Sequence, residues 1–330
     1  MNRLLRMACV LAGAMLLVAA SRDLHWRLAN GVESPPVPTD NPMSDAKVEL
    51  GRRLFYDADL SANGTLACAG CHEQKRGFAD GNATRPGVHG DPGRRNVPGL
   101  ANVGWMAHLT WADPRNDTLE SQALVPLLGE RPVEMGMKGL EAELPRRLSA
   151  DACYAIMFKR AFPEQDGRID TRTVAAALAA FQRTMIALDT PWDRFQAGAT
   201  EALSPAARQG STLFASSGCA QCHSGRDLSD GAFHRLGPID ARDPGLAEAT
   251  GDQADAGRFR TAPLRNVAIT GPWLHDGSAK TLGDAIARHP ASPPASAIPT
   301  LIAFLEALTD QGFLTNPRFA MPDRACGKPL

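Results

Sequence analysis

A mainly α-helical protein in two units, with long ordered loops and little β structure, is predicted by three observations. The 330 residues correspond to about two domains of ordinary size. Tyr is scarce at 2 residues while Gly (30) and Pro (25) are plentiful, which favours helices joined by punctuated loops over a β-sandwich. A short pattern also recurs. Gly51-Arg-Arg-Leu-Phe55 and Gly210-Ser-Thr-Leu-Phe214 each precede a cysteine pair, and each pair is followed by Asp-Gly, at Asp80-Gly81 and Asp230-Gly231. With 44% hydrophobic and 22% charged residues the chain is globular rather than disordered. Its 35 basic and 36 acidic residues form no basic run, so there is no electrostatic footprint for nucleic acid.

At the start of the chain, Arg3 and Arg6 precede an apolar stretch from Met7 to Ala20 that ends in Val18-Ala19-Ala20. A basic lead, a short apolar core and a small-residue end describe a secretory signal peptide over residues 1–20. The stretch is shorter than the roughly 20 apolar residues that span a bilayer. Cys9 lies inside the apolar core, which argues against a lipid anchor. The mature chain is therefore expected in the periplasm, without stable insertion in the membrane.

Residues 21–46 are Pro-rich and polar and read as an irregular lead-in. Residues 81–118 hold many Gly, Pro, Asn and Arg residues with no helical period, the mark of a long ordered loop, and such loops usually carry function. A helix is expected from Asp170 to Leu188, with Val174, Leu178, Phe181, Met185 and Leu188 on one face and Pro191 beyond its end. Ser204-Pro205 opens the next helix as cap and first residue. The domain boundary is placed there, giving units over 21–200 and 201–330. Arg235–Gly257 reads as a second loop, and helices are expected over Leu282–Arg288 and Ile298–Leu308.

The cysteines carry the chemistry. Of seven, four form Cys68-Ala-Gly-Cys71-His72 and Cys219-Ala-Gln-Cys222-His223. Cys-x-x-Cys-His is the c-type haem attachment pattern: two thiols fix the porphyrin and the adjacent His offers an imidazole to the iron. A thioredoxin-like redox pair needs no trailing His and expects a βαβ setting, which is absent. One zinc site built from both pairs would need far closer spacing than 151 residues. Two c-type haems are therefore expected, and each unit then needs only a helix bringing Leu-Phe to the porphyrin and a loop bearing the motif. Cys153 and Cys326 remain; export permits a disulfide between them, and two buried free thiols are the alternative.

Further along, the residues resemble a known family. Glu49-Leu-Gly-Arg-Arg-Leu-Phe-Tyr-Asp-Ala-Asp-Leu-Ser61, the two haem motifs, and Leu264-Arg-Asn-Val-Ala-Ile-Thr-Gly-Pro-Trp-Leu-His-Asp-Gly-Ser278 are similar to the bacterial di-haem cytochrome c peroxidase/MauG family over essentially the whole mature chain. Leu109-Thr-Trp-Ala-Asp-Pro114, Leu119-Glu-Ser-Gln-Ala-Leu-Val-Pro126 and Pro132-Val-Glu-Met-Gly136 are most similar to its methanobactin-associated, MbnH-like branch, whose members act on a tryptophan of a partner protein. The resemblance implies two cytochrome c-like haem domains packed face to face.

It also implies roles. The haem at Cys68 and Cys71, with His72 proximal, would be the peroxidatic one. Glu134 matches the family's acid/base group, Gln122 its polar neighbour, and Trp111 the tryptophan that relays electrons between the haems. His89, 17 residues after His72, lies where some members hold a distal ligand or gate; a loop histidine is the alternative. The second haem, at Cys219 and Cys222 with His223 proximal, takes its sixth ligand in relatives from Met or Tyr after the His-Asp-Gly motif. Counting from Thr281-Leu282, that position falls here on His289, or on Pro290 with a one-residue gap; Met321 is the reserve. A calcium ion between the haems would be held by Asn96, Thr270 and Pro272, and His275 would be a structural or propionate contact. The function implied is a periplasmic oxidoreductase that uses hydrogen peroxide to oxidise the haem pair and then a partner protein, at a Trp residue, with a copper-binding protein as one candidate partner. The alternatives are a peroxidase fed by a small cytochrome c or cupredoxin, and a non-enzymatic electron carrier.

Overall fold

The computed structural model describes Trp26, Leu28 and residues 31–329, so the expected signal peptide lies outside the described residues. The chain is mainly helical: α1 (Asp45–Phe55), α2 (Cys68–Cys71), α3 (Leu119–Leu128), α4 (Glu143–Ser149), α5 (Ala152–Ala161), α6 (Thr171–Arg183), α7 (Pro191–Gln196), α8 (Pro205–Ser216), α9 (Ala247–Thr250), α10 (Leu282–Ala287), α11 (Ile298–Glu306) and α12 (Gln311–Thr315). Among the described residues strands are confined to two antiparallel pairs of two residues each, β1 (Phe233–His234) with β2 (Phe259–Arg260), and β3 (Arg324–Ala325) with β4 (Lys328–Pro329). No described helix is long and apolar enough to cross a membrane.

Two cores form, and the recurring Gly-x-x-Leu-Phe pattern explains how. In the first, α1 crosses α6, with Gly51 at the crossing. A Cβ there would sit 1.8 Å from the Ala177 carbonyl oxygen, so only glycine lets the backbones approach. Leu54 and Phe55, one turn on, are fully buried. In the second core α8 crosses α11 the same way: a Cβ on Gly210 would lie 2.2 Å from the Thr300 carbonyl oxygen, and Phe214 packs among Leu301, Phe304 and Leu308.

Local capping follows the sequence. Ser204 caps α8 with Pro205 in its first turn, and Asp170 and Thr173 form a reciprocal cap on α6. The end of α6 departs from expectation: it stops at Arg183 rather than Leu188. Asn102 is the reason. Its backbone N–H donates to the Met185 carbonyl (2.8 Å), while its side chain accepts from the Ala187 N–H (2.8 Å) and donates to the Ala187 carbonyl (3.2 Å). Residues 185–187 are thereby held outside the helix, with Met185 and Ala187 still buried.

The tail of the expected 201–330 unit packs against the first core. Phe313 and Phe319 pack there with Phe55 and Phe78. Gln74 donates to the Phe313 and Asn316 carbonyls, Arg52 to those of Pro317 and Ala320, and the Tyr56 hydroxyl to that of Phe319. A Cys153–Cys326 disulfide closes the seam across 173 positions, which settles the open cysteine question in favour of the bridge. Met321 sits on this tail and is 60% exposed, which removes it as a reserve ligand for the second site. The units are further joined by Arg94 and Arg95 to Asp243 and Glu248, and by Asn102 to Asp227.

Candidate functional site

The two Cys-x-x-Cys-His motifs occupy equivalent places in the two cores. Cys68 and Cys71 lie on the single turn of α2, and Cys219 opens a 3₁₀ turn that ends at Cys222. The buried phenylalanine of each recurring pattern lies against the adjacent imidazole: Phe55 is 6.3 Å from His72, and Phe214 is 6.5 Å from His223.

Each of these histidines is fixed by its Nδ1. His72 Nδ1 lies 2.6 Å from the Phe78 carbonyl oxygen, and His223 Nδ1 lies 3.1 Å from that of Leu228. A carbonyl only accepts, so Nδ1 carries the proton and Nε2 keeps its lone pair. Phe78 and Leu228 both adopt positive φ, 64° and 48°, a left-handed conformation that costs energy in non-glycine residues and concentrates at functional sites. Burial lowers the pKa of both imidazoles, that of His223 to about 4, which keeps them neutral. Burial also pushes the Cys68 thiol up to about 12 and the Cys71 thiol to about 11.

The sites differ on the face opposite these histidines. At the second, His289 follows α10, and its Nδ1 lies 2.8 Å from the Ala285 carbonyl oxygen. The His289 ring centroid is 6.2 Å from that of His223. Two imidazole nitrogens each roughly 2 Å from one metal ion, the usual metal–nitrogen distance, put ring centres about 6 Å apart. The pair therefore fits one iron held between two histidines. Pro290, the alternative register, offers no ligand atom from its side chain.

At the first site no second imidazole faces His72 among the described residues. Glu134 lies near both thiols instead: its charge contributes to raising the Cys68 and Cys71 pKa values. Burial raises the Glu134 carboxyl pKa. The bent segment carrying it is hung from α3, because the Met135 and Met137 N–H groups donate to the Pro126 and Leu127 carbonyls. Gln122 lies one turn before Pro126 on that helix and is half-buried. His89 is exposed, its Nε2 beside Gly136, at the rim of this segment.

Between the sites is a cavity of about 80 Å³. Pro98 and Ala262, whose backbones lie by His72 and His223 respectively, line it. Trp111, Asn96, Thr270 and Pro272 line it too, so four residues scattered in sequence meet there. The Trp111 indole N–H donates to the Asn96 carbonyl (2.8 Å). The Asn96 amide nitrogen donates to the Asn82 carbonyl (2.8 Å), which turns Oδ1 away as a spare acceptor. A neutral amide oxygen is among the donors calcium takes. His275 stacks on Phe259 at 3.5 Å and its carbonyl accepts from the Asn96 N–H, a structural contact.

Sequence reasoning missed two groups. Cys222, Asp230 and His234 bring ligand atoms within 4.8 Å of one another, and His234 and Asp230 form a pair at 2.7 Å. Arg260 is buried against the cavity beside Trp111; nothing in periodicity marks it, since its strand is two residues long.

The family described as di-haem cytochrome c peroxidase matches residues 45–201. The methylamine utilization protein MauG of Methylorubrum extorquens is 37% identical over 253 residues, covering 76% of this chain and 70% of that one. The cytochrome c551 peroxidase of Pseudomonas aeruginosa is 34% identical over 254 residues, covering 74% and 72%. Among solved structures, the crystal structure of a MauG-like protein associated with microbial copper homeostasis superposes with a TM-score of 0.85 at 38% identity, covering 91% of this chain and all of that one.

Proposed function

The chain belongs to the di-haem cytochrome c peroxidase/MauG family, and from that premise we propose that it is a periplasmic enzyme that spends hydrogen peroxide on oxidising a residue, a tryptophan, of a partner protein. Two c-type haems, when bound, supply the redox chemistry with peroxide. Cys68 and Cys71 hold the first and Cys219 and Cys222 the second, with His72 and His223 as proximal ligands. The observation that carries the reading is His289 facing His223 at 6.2 Å. Met ligation raises a haem potential, and an imidazole in its place suits a site that stores oxidising equivalents better than one that collects electrons from a small carrier.

The polypeptide's own roles follow from position. Glu134, its carboxyl pKa raised by burial, accepts a peroxide proton at a carboxylate oxygen and returns it to the departing oxygen. The Gln122 amide orients the peroxide. Trp111, fixed through its indole N–H, carries electrons across the cavity, and Asn96 with the Thr270 and Pro272 carbonyls holds a calcium ion there. The likeness to the copper-homeostasis protein supports a copper-binding partner.

The test offers the holoprotein hydrogen peroxide with either reduced small cytochrome c or a tryptophan-bearing copper-binding protein. Mass spectrometry should find oxygen added at a partner tryptophan, with slow cytochrome oxidation. Rapid cytochrome turnover with an unmodified partner would overturn the reading in favour of a plain peroxidase, which the 34% identity to a cytochrome c551 peroxidase keeps in play.

A further inference from the structure

The cavity between the two sites is lined by no aspartate or glutamate, yet it gathers positive charge. Arg265 on its wall is neutralised by Asp193, at 2.7 and 2.9 Å. Arg260 is not. It is 4% exposed, its Nε donates to the Thr110 carbonyl (3.0 Å) and its Nη1 to that of Thr261 (3.4 Å). No carboxylate lies within ion-pair distance of it among the described residues, and burial alone pushes its guanidinium down to about 10. The calcium ligands proposed above are all neutral, so an ion there would add charge rather than cancel it. A buried cation with no anion is strongly disfavoured. The missing anion must then come from something that is not polypeptide.

We propose that Arg260 is the counter-ion for a propionate of the haem held at Cys219 and Cys222, and that its charge positions that haem's reduction potential. This rests on the di-haem reading above. The second haem is singled out because Ala262, two residues beyond Arg260, lies by His223, and because β2 pairs with β1, which follows the second motif. The guanidinium fork matches a carboxylate. Arg260 also grips the relay segment, since its backbone N–H donates to the Trp111 carbonyl at 2.8 Å. One residue thus joins the haem edge, through its side chain, to the tryptophan between the sites, through its backbone.

The experiment compares Arg260→Gln and Arg260→Lys holoproteins with the unaltered protein by spectroelectrochemical titration, with haem counted by pyridine haemochrome. Gln keeps a donor for Thr110 and loses the charge; Lys keeps the charge. Loss of a cation favours the ferric state, so Gln should lower the reduction equilibrium constant of the second haem about tenfold, 59 mV for one electron. Lys should stay within about twofold of the unaltered protein. Unchanged potentials in the Gln variant overturn the proposal, and so do equal shifts in both variants, which would mark a structural clamp. If the Gln variant does not fold with haem, the Lys variant decides: two haems at near-native potentials support the counter-ion, and failure to assemble overturns it. A native potential that tracks added phosphate would assign the anion to solvent and also overturn it. Fewer than two haems in the unaltered protein would sink the di-haem reading instead.

Discussion

The two attachment sites share one half and differ in the other. On the proximal side the agreement is close: a glycine at a helix crossing, a buried phenylalanine on the imidazole, and a carbonyl presented from a positive-φ residue to Nδ1. On the opposite side the second site carries His289, whereas the first has the partly buried Glu134 near its thiols. Holding a cofactor demands the same backbone geometry twice. What the cofactor then does is decided by a few side chains that come from unrelated segments, the residue after α10 in one case and the segment hung from α3 in the other.

The largest expected effect strikes the first site alone. Glu134→Gln should slow the reaction with peroxide by roughly 10²–10⁴-fold, the range for loss of a positioned acid/base group, measured by stopped-flow absorbance, with the second site's spectrum unchanged. The pH dependence follows from the raised carboxyl pKa. A base is active when deprotonated, so the native rate should fall as pH drops through a value above the ordinary glutamate range. Stability runs the other way: a folded-state pKa above the unfolded one contributes stability at low pH that is lost as pH rises through it. Glu134→Gln should therefore melt higher than the native protein at neutral pH while reacting more slowly.

Next comes the seam that only the first unit has. Replacing Cys153 and Cys326 by Ser should cost about 2–4 kcal/mol, seen as a lower denaturation midpoint reported by the first site before the second. A denaturation curve that fell equally at both sites would show that the two cores unfold as one. The shared half is tested by Gly51→Ala and Gly210→Ala. Each drives a methyl group into a backbone carbonyl, and overpacking of this kind costs about 1–3 kcal/mol; similar losses in thermal melts are expected from the two, and a silent variant would break the equivalence. The smallest effect concerns the second site's distinction. His289→Met should raise that haem's potential by about 59 mV, a tenfold change in its reduction equilibrium constant, and remove the bis-imidazole signal from its EPR spectrum.

What the sequence reveals of this arrangement depends on distance along the chain. The Cys-x-x-Cys-His motifs, the Ser204 cap and the Gly-x-x-Leu-Phe pattern are local, so spacing alone exposes them. His289 is reachable by counting because a short capped helix fixes its offset from Thr281. The early end of α6 is not legible, since Asn102 acts on it from 85 positions away. Nor is the return of Phe313 and Phe319 to the first core: on paper they are ordinary apolar residues after a helix, and only the folded chain shows Phe78 waiting for them. Arg260 is the extreme case, because its meaning lies in the acidic residue that is missing around it.

That return has a bearing on how the protein is made. A chain leaving the ribosome presents its amino-terminal half first, yet the core around Phe78 is filled by Phe313 and Phe319, which are synthesised near the end. The motif nearest the amino terminus therefore belongs to the unit whose core is completed last, and Cys68 and Cys71 stay accessible until the end of the chain has been delivered. The later motif has only a short wait, since α11, which covers it, ends 83 residues beyond His223. Order of synthesis and order of closure run in opposite directions.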